Sequence, residues 1–208
     1  MLPTPDYILD SVPEIRRLIE HNPWATIVAQ TENGIVASHY PVILDEEYPE
    51  EIVLLGHVGR PDDVALELGT SEVLLIVQGP HGYVSASWYP EGAFAPTWNH
   101  LTAHLWGVPE LLSEQDSFKV LATMVDKFEQ HVDAPRSLAI NPEMAKTLAR
   151  GAAGFRIRIT RWDARAKLSQ DKPAAVVDNV ISELSGEGFY RNPALAAEMR
   201  RYFSETER

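Results

Sequence analysis

The chain contains no cysteine, which excludes disulfides, thiolate metal sites and cysteine nucleophiles. No apolar run approaches the ~18 residues that a membrane span needs. The N-terminal Met1-Leu2-Pro3-Thr4-Pro5-Asp6 has neither a basic n-region nor an apolar h-region. No secretory signal is expected, and a cytoplasmic location is the default. Cations are scarce: 18 Lys and Arg face 30 Asp and Glu, for a formal net charge of -12. That balance argues against a nucleic-acid binder, whose affinity comes largely from phosphate neutralisation. No Gly-x-Gly-x-x-Gly or Walker loop is present to cradle a nucleotide phosphate. A nucleophile elbow is also missing, since Ser85 and Ser87 lie in Val84-Ser85-Ala86-Ser87-Trp88. His39, His57, His81, His100 and His104 lack metal-ligand spacing. In a strand His100 and His104 stand ~13 Å apart, so no metal site is expected.

What remains is a 208-residue chain long enough for a full-sized core. Ser11-Val12-Pro13-Glu14 reads as a capping box opening a helix with Ile15, Leu18 and Ile19 on one face. Residues 24–30 and 35–44 read as strands joined by an Asn33-Gly34 turn. The acidic segment 45–51 reads as a solvated loop, 52–58 as a strand, and 62–68 as a short helix closed by Gly69. Val73-Leu74-Leu75-Ile76-Val77 is a continuous apolar run, the pattern of a strand buried on both faces. From Thr97 to Val108 the residues alternate, with Leu101, Ala103 and Leu105 opposite Trp98, His100, Thr102, His104 and Trp106. Ser113 caps a helix carrying Phe118, Leu121, Val125 and Phe128, and Asn141-Pro142-Glu143 opens another. Phe155, Ile157 and Ile159 mark the last expected strand. Two amphipathic helices follow Asp171-Lys172-Pro173. Six or seven strands with few helices predict a mainly β (α+β) fold, a Greek-key β-barrel with peripheral helices. The expected organisation is a domain over 1–170 and a C-terminal helical extension over 171–208, packed on the barrel or on a partner.

Three stretches carry candidate chemistry. Residues 78–89 and 96–100 pack tryptophans, prolines, histidines and hydroxyls densely, the composition of a loop that lines a pocket. Gly56-His57-Val58-Gly59-Arg60 closes a strand before a short helix, and Arg60 offers a fork for an anion. The same residues also suit an ordinary strand end with a surface arginine. Residues 165–172 combine positive charge with hydrogen-bonding side chains, suited to a polar cofactor or to a solvated tail. The Trp98 to Trp106 face fits a barrel interior, a dimer contact or a shelf for a planar ring.

These motifs together resemble the PaiB family of FMN-binding negative transcriptional regulators. The carriers are Ala37-Ser38-His39-Tyr40-Pro41, Leu55-Gly56-His57-Val58-Gly59-Arg60, residues 78–85 and 87–89, Pro96-Thr97-Trp98-Asn99 and Lys167-Leu168-Ser169-Gln170. The resemblance runs from the N-terminal helix to about Leu184. It implies a split β-barrel of the flavin-reductase and pyridoxamine-phosphate-oxidase type, a homodimer with FMN at each of two subunit interfaces. By position, Ser38 and His39 are expected beside the flavin, His57 and Arg60 at its phosphate, and Gln78 at the ring edge. Trp98, Asn99, Lys167, Ser169 and Gln170 are expected to reach across the interface. The chain departs from the family pattern after Arg60, where Pro61-Asp62-Asp63 puts two carboxylates beside the phosphate stretch, and Asp171 replaces the usual asparagine. The implied function is flavin-dependent oxidoreduction or regulation. A DNA-binding repressor and a haem-binding or haem-degrading split barrel are the alternatives.

Overall fold

The computed structural model describes residues 4–92 and 94–206. In chain order the elements are α1 (Val12–His21), β1 (Trp24–Thr31), β2 (Gly34–Leu44), β3 (Val53–Gly59), α2 (Asp62–Ala65), β4 (Val73–Val84), β5 (Thr97–Gly107) and β6 (Pro109–Leu111). They continue with α3 (Glu114–Glu129), α4 (Pro142–Arg150), β7 (Ala152–Arg158), β8 (Arg161–Lys167), α5 (Ala174–Ser185) and α6 (Pro193–Thr206). The eight strands form one sheet in the order β6-β7-β3-β2-β1-β4-β5-β8. The fold is of the split-barrel class anticipated from the sequence, mainly β with helices around the sheet.

The chain divides into two compact units. One comprises Ser11–Val77 and Ala103–Trp162. Here the β1–β2 hairpin closes on Thr31↔Gly34. Gly34 takes φ +105°, a left-handed value that makes glycine the natural residue for this turn. β1 continues the ladder onto β4, and β3 pairs with both β2 and β7. Period-2 alternation sends Ala25, Ile27, Ala29, Val73, Leu75 and Val77 inward. They join Ile15, Leu18, Leu54, Phe155 and Ile157, all essentially fully buried. Phe155 packs so tightly over β3 that a Cβ at Gly56 would lie 2.5 Å from its ring.

The other unit holds the segment ending at Asp10, Gln78–Thr102 and the chain from Asp163 onward. Val180, Leu184, Leu195 and Met199 are buried there. Asn192 Nδ2 donates to the His81 carbonyl at 2.8 Å, and Asn179 Nδ2 to the Trp88 carbonyl at 2.7 Å. The α5–α6 pair is thereby tied to the end of β4.

Several details differ from the sequence reading. There are eight strands because β6 and β8 were hidden. Residues 165–172 read as a polar, positively charged stretch, whereas β8 runs through Lys167 and Ala164, Arg165 and Ala166 are buried, with Arg165 paired to Asp163 at 2.6 Å. β4 runs on through Pro80 to Val84, so half of the expected pocket loop is strand. Its apolar run alternates, with Leu74 and Ile76 only half-buried, because successive side chains point to opposite faces of the sheet and one face is less covered among the described residues. Asp45 in the acidic loop is buried, since Arg156 Nε donates to it at 2.9 Å. The capping box at Ser11 does not form; Glu14 pairs with Arg17 instead.

Candidate functional site

β2 and the end of β3 build the first cluster. Ser38 and Tyr40, two residues apart on one strand, project to the same face. Both hydroxyls donate to one oxygen of Asp62, Ser38 Oγ and Tyr40 Oη each at 2.8 Å. The Tyr40 phenol is pushed up from its ordinary pKa, first by burial and then by its bond to the Asp62 carboxylate. His57 meets the Tyr40 ring edge-on, with centroids 6.3 Å apart. Its Nδ1 is buried without a partner among the described residues, and burial lowers its pKa by disfavouring the charged imidazolium. Arg60 Nη1 donates to Asp63 Oδ2 at 2.5 Å. The Asp63 side chain is 7% exposed and the Arg60 side chain 54%. The second oxygen of Asp63 is buried and unpartnered among the described residues. His39 points to the opposite face of β2 and stacks on Trp24, centroids 6.5 Å apart and planes 15° apart.

The second cluster belongs to the other unit. Asn99 is fully buried and donates to Ser169 Oγ at 2.8 Å. Ser169 has φ +67°, a left-handed conformation rare for a residue with a side chain. Gln170 closes that turn: Oε1 accepts from the Leu168 amide at 2.7 Å while Nε2 donates to the Ala166 carbonyl at 2.5 Å and to that of Asp6 at 3.0 Å. These three side chains shape the loop after β8. Lys167 Nζ donates to Thr97 Oγ1 and lies 5.6 Å above the Tyr7 ring. Trp98 stands out into solvent, 56% exposed, with its edge toward Tyr83. Tyr83 in turn packs on Tyr190 at 4.8 Å, and Phe189 adjoins Tyr190 at 5.0 Å. His100, half-buried, has its pKa lowered by burial first and then by the charges of Lys167 and His81. Gln78 sits exposed on β4.

Of the sequence-predicted residues, the structure therefore brings Ser38, His57 and Arg60 to one strand end and sets His39 apart on the other face. It groups Trp98, Asn99, Lys167, Ser169 and Gln170 around the start of β5 and the end of β8. Tyr40, Tyr83 and Tyr190 were missed as site residues. Tyr40 was legible from its i+2 spacing to Ser38; Tyr190 was not, because its neighbours come from distant segments. Among the described residues no group of three or more His, Cys, Asp or Glu is placed to hold a metal ion. A cavity of about 500 Å³ along α3 and α4, lined by Phe118, Leu138, Ala145 and Ala149, contains none of these residues.

Residues 1–161 match the family model described as "Putative FMN-binding domain". The chain is 30% identical over 177 residues to the protein of Bacillus subtilis (strain 168) named "Protease synthase and sporulation protein PAI 2", covering 84% of each chain. Among solved structures it resembles the FAD and haem binding protein from Mycobacterium smegmatis, with TM-score 0.61 and 16% identity over 88% of this chain and 80% of that one. The flavocytochrome Anf3 from Azotobacter vinelandii aligns with TM-score 0.55 and 13% identity, over 75% of this chain and 67% of that one. At these identities the two structures establish the fold. The family model and the curated relative together establish that the chain belongs to the FMN-binding PaiB family, whose cofactor is FMN.

Proposed function

We propose that the protein works as a homodimer with the flavin seated at the subunit interface, carrying out flavin-dependent redox chemistry in the cytoplasm. One observation carries this reading: the outward face of the β1–β2–β4 ladder is apolar yet solvent-exposed. Ile35 is 76% exposed and Trp24 63%, with Val28, Leu74 and Ile76 half-buried on the same face. A sheet with apolar residues on both faces needs cover on both, and a second copy supplies it symmetrically. His39, stacked on Trp24, lies on this face and would border the flavin there.

Bound FMN would supply an isoalloxazine ring able to accept electrons. In this reading Trp98 offers a ring surface for stacking and Lys167 a positive charge, both reaching across the dimer interface from the other copy. Asn99, Ser169 and Gln170 act one step removed, holding the loop that positions Lys167. The phosphate is the part of FMN that this chain's own residues suit least: the hydroxyls of Ser38 and Tyr40 and the Arg60 guanidinium are already bonded to carboxylates.

The test is a spectroscopic titration coupled to a mass measurement. Wild-type protein should perturb the absorbance of micromolar FMN, and Trp98→Ala should weaken that binding about tenfold. Light scattering should give a dimer that Ile35→Arg converts to a monomer with unchanged far-UV circular dichroism. A monomeric wild type, no response to FMN, or a Soret band with haem in place of a flavin response would overturn the reading.

A further inference from the structure

The strand end after β3 is arranged as an anion site whose anion is part of the chain. Two hydroxyls from β2 converge on a single Asp62 oxygen at 2.8 Å each. The neighbouring guanidinium of Arg60 is held at 2.5 Å by Asp63. Two converging O–H donors and an arginine, held by consecutive residues of α2, are the kinds of partner that a phosphate oxygen demands. The carboxylates stand where such an oxygen would be accepted. Asp63 is anchored there, since its side chain is nearly sealed from solvent.

We propose that Asp62 and Asp63 are internal competitors for the flavin's phosphate, and that they determine which flavin the protein prefers. This rests on the flavin-binding reading above. A phosphate dianion arriving at Arg60 meets three donors already engaged. It also meets the negative charges of the two carboxylates that hold those donors, Asp62 and Asp63, each worth about a tenfold loss of affinity at a half-exposed site. A flavin without phosphate, such as riboflavin, meets neither obstacle. The pair therefore removes the advantage that FMN would otherwise have over riboflavin. Specificity here comes from the repulsive element, while the attractive residues Ser38, Tyr40 and Arg60 stay in place.

The experiment compares dissociation constants of FMN and riboflavin by quenching of flavin fluorescence. It uses wild type, Asp62→Asn, Asp63→Asn and the double variant, each checked for a cooperative melt without flavin. Asparagine retains an acceptor for Ser38 and Tyr40 while removing the charge. Wild type should bind the two flavins within about threefold of each other. The double variant should bind FMN at least about tenfold tighter, with riboflavin unchanged. Arg60→Gln adds a second reading: it should cost FMN little in the wild-type background and several-fold in the double-asparagine background, where Asp63 no longer holds the guanidinium. Asp62→Asn alone, which leaves the buried Asp63 in place, should already tighten FMN several-fold. Wild type preferring FMN strongly, with no gain in the asparagine variants, would overturn the proposal. So would equal gains for both flavins. If no variant binds either flavin, the flavin reading fails and takes this inference with it.

Discussion

Replacing Gly154 with alanine tests how α3 is seated on β7. A Cβ built on Gly154 would lie 2.7 Å from both the Cα and the Oγ of Ser117, and 2.9 Å from its Cβ. One of the two nearest atoms is backbone in the first turn of α3, so no rotamer change can clear the clash. Ser117 Oγ also accepts the Gly154 amide hydrogen at 3.0 Å, a bond in the buried interior. Overpacking of this kind costs about 1–3 kcal/mol, and loss of the buried bond adds about 1 kcal/mol. For a domain of this size the sum of roughly 2–4 kcal/mol should lower Tm by roughly 5–15 °C. Differential scanning calorimetry is the assay, with Ser117→Ala as the comparison. That variant orphans the amide without a clash and should lose only about 1–2 kcal/mol. The double variant Gly154→Ala/Ser117→Gly should recover part of the loss by removing Oγ and Cβ. A Gly154→Ala melt indistinguishable from wild type would refute the idea that α3 contacts the strand this closely. Gly154 lies opposite His57 in the β3–β7 register, so the same shift would reach the strand that leads into Arg60.

Two further outcomes follow from buried charge. His57 and His100 both have their pKa lowered by burial, so the unfolded chain binds more protons as pH falls. Their contribution to stability is complete above the unfolded value of about 6.5 and is lost on acidification through it. His57→Gln should flatten the fall in Tm between about pH 7 and pH 5, and parallel profiles for wild type and variant would refute this. Asp45, buried against Arg156, also accepts the Glu47 amide at 3.2 Å. Asp45→Ala should cost about 2–3 kcal/mol, near the low end for a broken buried pair because the Arg156 side chain is 33% exposed. An unchanged urea midpoint would show that the pair contributes nothing.

How far the sequence could be read depended on whether a signal was local. Alternation set Leu101, Ala103 and Leu105 on one face of β5, and that face is the buried one, because a strand's two faces differ by one residue step. Ser113 and Asn141 were legible as caps, since each side chain bonds an amide only three residues away. β8 was not legible, because Arg165 can be buried only with Asp163 beside it, and charge in sequence reads as surface. The same limit applies at the strand end after β3. Pro61-Asp62-Asp63 was visible as a departure from the family pattern, but nothing in the order of residues says where those carboxylates point.

The sequence by itself determined the class of fold and the family, and it offered the short list of candidates from Ser38 to Gln170. Those depend on period, motif and spacing, all of which are properties of neighbours along the chain. Tertiary structure alone decided what each residue on the list does. It folded Asn99, Ser169 and Gln170 into a buried loop, left Trp98 and Lys167 at the surface of their unit, and set two carboxylates against Ser38, Tyr40 and Arg60. Hydrogen bonds between residues 22, 24 and 70 positions apart make those assignments, and only the folded chain brings such partners within reach.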